Sequence, residues 1–151
     1  MASEVAELIQ RVAKANPAWP ERIRRAATDI QFDRAVDILY VAYGEPGEAF
    51  SIPTGSPDEG VYLRVDLETY RIVGIEAFDF RGAFLPAHPD ALEAFEPIFR
   101  LFGDEDWRIQ IGPWESGESE EVLLYSKPAA RASVDYLAAY LQRTAPGLAA
   151  A

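Results

Sequence analysis

Apolar residues recur with two different periods along this chain, and the switches between them divide it into three parts. Near the N-terminus Val5, Leu8, Ile9 and Val12 fall at i, i+3, i+4 and i+7, the stripe of an amphipathic helix. Ser3 is the candidate N-cap, with Glu4 and Glu7 beside the positive end of the helix. Asn16-Pro17 predicts its end, because the residue before a proline is pushed out of the helical region. Pro20 suits the first turn of a second, shorter helix, PERIRRAA, with Ile23 and Ala26 or Ala27 turned inward.

From Ile30 to Phe80 the period drops to two. Ile30 and Phe32 alternate with Gln31, and Asp33 to Val36 reads as a turn. Ile38 to Tyr43 is apolar on both faces, the mark of a strand inside a sheet with cover on both sides. A turn at Gly44, a short strand at Ala49 to Ile52 and a turn-rich loop from Pro53 to Gly60 follow. Val61, Leu63 and Val65 then share one face of a strand against Tyr62, Arg64 and Asp66. In the strand from Arg71, simple alternation puts Val73, Ile75 and Ala77 on one face. Gly74 inside it predicts a bulge or the close approach of another backbone. Short connections make an antiparallel meander the expected topology.

Helical spacing returns with Leu92, Phe95, Phe99 and Phe102 behind Pro89, where Pro97 predicts a kink or a split. Trp107 to Trp114 alternates as a strand, and Glu121–Ser126 is its expected hairpin partner across the loop 115–120. Pro128 opens a last helix with Val134, Leu137, Ala138 and Leu141 on one stripe, and Gly147 lies beyond its end. The whole predicts an α+β fold: an antiparallel β-meander packed by N-terminal and C-terminal helices. We expect one domain, with a helical extension over 1–27, the meander module over 28–80, and a helix, a β-hairpin and a helix over 87–146.

Composition narrows the function classes. The chain has 151 residues and a net charge of −11, distributed as +2, −15 and +2 over residues 1–27, 28–126 and 127–151. So acidic a middle opposes binding to a phosphate backbone, which needs clustered Lys and Arg. No run approaches the roughly 18 apolar residues of a membrane span, and the N-terminus lacks the features of a secretory signal. Neither nucleic acid nor membrane is therefore an expected partner, and the cytoplasm is the expected location. With no cysteine, disulfides, thiolate metal sites and cysteine nucleophiles are excluded.

Chemistry-bearing residues are sparse. His88 is the sole histidine, a candidate general base at a helix start, though no hydroxyl nucleophile lies near it in sequence. One imidazole and no thiolate make a transition-metal centre an unexpected feature, and no cofactor motif occurs, so no cofactor is expected. Asp37 and Glu76 are candidate carboxylates facing each other across strands, a closeness that would raise one pKa. Arg22, Arg24 and Arg25 form the densest basic patch: a solvated helix face, a set of intramolecular partners for the acidic middle, or a docking surface for an acidic partner. Tyr40 leads the sheet aromatics, which read as core packing or, on an uncovered face, as a protein contact.

Three short patterns within Ile30–Phe80 occur in a recognisable order: Phe32-Asp33, then Asp37-Ile38-Leu39-Tyr40-Val41, then Arg71-Ile72-Val73-Gly74-Ile75-Glu76. The order resembles the bacterial domain of unknown function 2283 family over about a third of the chain. That family places a glycine just before the basic residue of its last strand, where this chain has Tyr70. The resemblance implies a β-meander and brings no catalytic residues. The expected function is thus a non-enzymatic module for protein interaction or self-association, its partner a homo-oligomer or an unidentified protein. The alternative is a small-molecule-binding protein or modest enzyme, with a pocket between the sheet and helix 89–102 and polar groups from Asp37, Glu76 and His88.

Overall fold

The computed structural model describes residues 2–44, 47–54, 60–103, 105–111 and 127–145. Helices α1 (Ala2–Ala15), α2 (Trp19–Arg25), α3 (Leu85–Ala87), α4 (Pro89–Phe102) and α5 (Lys127–Thr144) accompany six strands. These are β1 (Asp29–Asp33), β2 (Ile38–Ala42), β3 (Ala49–Pro53), β4 (Val61–Asp66), β5 (Ile72–Phe78) and β6 (Trp107–Gln110). A π-helical turn, Phe80–Phe84, joins β5 to α3. The strands form one antiparallel sheet in the order β3-β4-β5-β2-β1-β6. The architecture is the expected α+β fold.

The run β3-β4-β5 is a meander and β1-β2 a hairpin. Between them the chain crosses from the sheet's centre to its edge, so β5 returns beside β2 in Greek-key order. The strand β6 pairs with β1, in register from Asp29↔Gln110 to Phe32↔Trp107. Its expected hairpin partner, Glu121–Ser126, lies outside the described residues, as do the loop 115–120, Trp114 and Gly147.

Burial follows the alternation. Ile30, Phe32, Leu39, Val41, Leu63, Val65, Ile75, Ala77, Trp107 and Ile109 all point to one face and are buried there. Against them pack Trp19 and Ile23 of α2, Phe95 and Ile98 of α4, and Val134, Leu137, Ala138 and Leu141 of α5. Phe32 sits at the middle of an aromatic group, 6.0–6.2 Å from the rings of Phe80, Phe99 and Trp107. A buried side chain of this size contributes about 1.5–3 kcal/mol by leaving water. Details depart from the sequence expectation. The helix α1 begins by Ala2, which puts Ser3 within its first turn. Ala27, not Ala26, is the inward alanine. In α4 the buried stripe is Ala91, Phe95 and Ile98, while Leu92 is exposed, and Pro97 stands inside one continuous helix.

The N-terminal helices are fastened to the sheet at one residue, Ile72. Its N–H donates to Asn16 Oδ1 at 2.9 Å, and its carbonyl accepts from Arg22 Nη1 at 2.6 Å. Asn16 also donates through Nδ2 to the carbonyls of Val12 (2.6 Å) and Tyr70 (2.9 Å). Asn16 is 2% exposed, and its bonds to Val12 and Ile72 are buried while that to Tyr70 is partly so. Tyr70 holds φ +61°, a left-handed conformation that favours glycine; its carbonyl is held by Asn16, and Arg11 reaches its hydroxyl at 3.2 Å.

Ile72 can face the core because the β4–β5 ladder slips by one residue. Arg64 pairs with Gly74 and Val65 with Ile72, leaving Val73 as the extra residue of a β-bulge. The inward set of β5 is therefore Ile72, Ile75 and Ala77, and Val73 is only half-buried. Gly74 suits this point: a Cβ there would stand 3.1 Å from the Val41 carbonyl oxygen, a contact that the neighbouring backbone would have to relieve by a few tenths of an ångström.

Two stability outcomes follow from this packing. Replacing Asn16 with Ala strands the buried Ile72 N–H and should cost about 2–3 kcal/mol, measured as a lower urea midpoint at unchanged m-value; an unchanged midpoint contradicts the fastening role. The buried Tyr43 hydroxyl finds no hydrogen-bond partner among the described residues, and burial pushes its pKa far above the ordinary value of about 10. Above that pH the unfolded chain loses a proton that the folded chain keeps, so stability should fall as pH rises past about 10. In Tyr43→Phe this component of the alkaline slope should vanish with no loss of stability at neutral pH; an unchanged slope contradicts it.

Candidate functional site

Side chains on the opposite, outer face of the sheet form two rungs in register across the strands. One reads Ser51, Arg64, Gly74, Ala42, Asp29, Gln110 from β3 to β6. The other reads Pro53, Tyr62, Glu76, Tyr40, Gln31, Arg108. At the centre of the first rung stand the two smallest residues, Gly74 and Ala42, directly paired. Longer side chains on either side rise past them, and the result is an open groove of about 820 Å³. Among the described residues no helix or strand packs over this face. The two-sided apolar strand Ile38–Tyr43 predicts cover on both faces, and here it has helical cover on one, with Ile38 buried and Tyr40 and Ala42 half-buried on the other.

Each wall of the groove carries an arginine–carboxylate pair. On the β6–β1 side Arg108 donates to Asp29 Oδ2 through Nη2 at 2.6 Å and Nε at 3.2 Å. On the β4–β5 side Arg64 Nη1 lies 3.7 Å from Glu76 Oε1, to which Ser51 Oγ also donates at 3.0 Å. Both carboxylates are largely sheltered, at 16% and 13% side-chain exposure, whereas the two arginines are more open. Tyr40 stands between the walls. Burial, then the nearby charges of Glu76 and Asp33, raise its pKa, with Arg64 acting in the opposite sense. Beyond Glu76, Tyr62 meets Phe78 edge to face at 5.4 Å, extending an aromatic strip toward the exposed end of β5.

The candidate residues named from the sequence are dispersed by the fold. Glu76 and Tyr40 come together, in register. Asp37 does not face Glu76: Ile38 pairs with Phe78, so Asp37 lies beyond the end of that ladder. It sits at φ +54° in the β1–β2 turn, and its carboxylate accepts the N–H groups of Arg81 (2.8 Å) and Gly82 (2.9 Å). Its carbonyl takes the Phe80 N–H at 3.0 Å. This is the work of a cap, satisfying donors at the start of the π-helical turn. His88 lies on the helical side, stacked on Phe84 at 4.4 Å and edge-on to Tyr140, its Nδ1 2.8 Å from the Phe84 carbonyl oxygen.

The arginine patch divides three ways. Arg22 turns inward to Ile72 and lies over the Tyr43 ring at 5.8 Å; burial, then the like charge of Arg71, lowers its pKa. Arg24 bridges Glu21 and Gln142 of α5. Arg25 pairs with Glu21 and projects into solvent. The space between the sheet and α4 is filled by Phe80, Phe95 and Phe99, so the groove lies on the face away from that helix. Arg64, Asp29 and Arg108 were legible only as the polar positions of alternating strands, and the Ala42–Gly74 pairing depends on a register that alternation does not specify.

Comparison with protein-family models, curated proteins and solved structures gives no match for this chain. No described helix is long and apolar enough to cross a membrane, and no group of His, Cys, Asp and Glu among the described residues could hold a metal ion.

The groove's electrostatics are open to direct test. Glu76→Gln removes one of the two carboxylates that oppose ionisation of Tyr40, so the Tyr40 pKa should move down toward the ordinary tyrosine value. Ring-proton NMR shifts followed through alkaline titration would show it, and an unchanged Tyr40 titration contradicts the coupling.

Proposed function

We propose that this chain is a non-enzymatic binding module that meets a protein partner through the outer face of its sheet. One observation carries the reading: the helices gather on one face, while the other presents a groove floored by Gly74, Ala42 and the half-buried Tyr40. A sheet face that holds a two-sided strand and, among the described residues, has no helix over it is a surface suited to contact. The charged groups in the groove support binding over catalysis, since each carboxylate is matched by an arginine and His88 stands on the other side of the sheet. A second reading, a small-molecule site, is favoured by the groove's volume of about 820 Å³, within the usual range for ligand pockets of about 300–1,000 Å³. On either reading the outer face is the place of contact, not the space beneath α4.

A photo-crosslinking amino acid placed at Tyr62, on the outer face, should give a discrete heavier species in the native host. The same group at Glu93, exposed on α4, should give none, and adding Ala42→Trp to fill the groove should abolish the Tyr62 product. Crosslinks from Glu93 alone, or a Tyr62 product indifferent to Ala42→Trp, would contradict the proposal.

A further inference from the structure

Within the second rung a carboxylate stands between two phenol rings: Glu76 is in direct cross-strand register with Tyr62 on one side and Tyr40 on the other. Directly opposed side chains in a sheet have Cβ atoms about 4.5–5.5 Å apart, close enough for one guest group to touch all three. Aromatic faces attract cations through the ring quadrupole, and a carboxylate beside them supplies the counter-charge. Among the described residues the contacts to Glu76, from Ser51 and Arg64, both fall on Oε1, so Oε2 is the oxygen on which a guest would donate. Asp33 adds a second negative charge near Tyr40. The charged groups lining the groove itself, Asp29, Glu76, Arg64 and Arg108, balance, while the chain as a whole carries −11, with −15 from residues 28–126. A field of that sign steers positively charged partners in and opposes a second copy of the same chain.

We infer that the partner is a cationic polypeptide segment, with a Lys or Arg side chain lying over Tyr40 and its charge against Glu76. This rests on the outer face being the contact surface and names the chemistry of its occupant. A polypeptide fits better than a small ammonium compound because the groove spans from β6 to β4. That is four strand spacings, about 19 Å, and the Tyr62–Phe78 strip continues it. The paired arginines on the walls hold the carboxylates in place, and the small Ala42–Gly74 floor lets a ligand backbone come close.

The full chain titrated with an arginine octapeptide, a glutamate octapeptide and spermine, by calorimetry and amide NMR, tests this. The arginine peptide should bind and shift the amides of Tyr40 and Glu76, and the glutamate peptide should not bind. Tyr40→Leu, which changes no charge, and Glu76→Gln should each weaken binding by about three- to tenfold. Tyr40→Phe should retain it, which separates loss of the ring from loss of folding. Glu7→Gln, removing an equal charge from an exposed site on α1, should change it less than about twofold. Three outcomes would overturn the inference: Tyr40→Leu binding as before, Glu7→Gln weakening binding as much as Glu76→Gln, or spermine matching the peptide. If no cationic peptide binds while Ala42→Trp still abolishes the Tyr62 crosslink, the face keeps its role and the partner is not cationic. If neither effect occurs, both readings fall.

Discussion

Ile72 is where this fold is joined. Both of its backbone polar groups are held by the N-terminal segment, the N–H by Asn16 in the turn after α1 and the carbonyl by Arg22 of α2. Neither bond forms unless Ile72 turns inward, and it turns inward only because Val73 is an extra residue in the ladder. A regular strand would place Ile72 on the same face as Gly74 and Glu76, exposing an isoleucine and leaving a buried asparagine unsatisfied. Gly74 suits the bulge, because a Cβ there would press on the Val41 carbonyl oxygen at 3.1 Å. Paired with Ala42, it also keeps the centre of the outer face low.

That last consequence links packing to function. With Gly74 paired to Ala42, the middle of the outer face is low, and the neighbouring rungs supply walls of arginine and carboxylate. These pairs are partly exposed and contribute little to stability; their interest is positional, since they hold charge at fixed points beside Tyr40. The helical side shows the contrary economy. There the aromatic cluster around Phe32 and Phe80 fills the interior, and polar groups such as Asn16 and Asp37 are consumed in backbone hydrogen bonds.

Alternation and helical spacing made most elements legible, because both report which side chains must leave water. The stripe Val134, Leu137, Ala138 and Leu141 is buried as its spacing requires, and Gly74 marked its bulge in advance. Interactions that depend on register were not legible. Simple alternation put Val73 inward, because a one-residue slip reverses every later side chain. Asp37 and Glu76 looked like partners in sequence, yet the β2–β5 register sets Tyr40 opposite Glu76 and leaves Asp37 to cap a turn. The clustered Arg22, Arg24 and Arg25 looked like one surface, but a helix rotates successive residues by about 100°, sending them to Ile72, Gln142 and solvent. His88, conspicuous by being alone, packs against Phe84 and Tyr140.

The sheet has one face covered by helices and, among the described residues, one open face, where we propose that its contacts lie. Tyrosine nitration by tetranitromethane, mapped by mass spectrometry on the native protein, tests it most directly. Tyr40 and Tyr62 should be modified before unfolding, while Tyr43 and Tyr140, buried on the helical side, should react only after denaturation. Protection of Tyr40 equal to that of Tyr43 would contradict the account, because the outer face would then be covered.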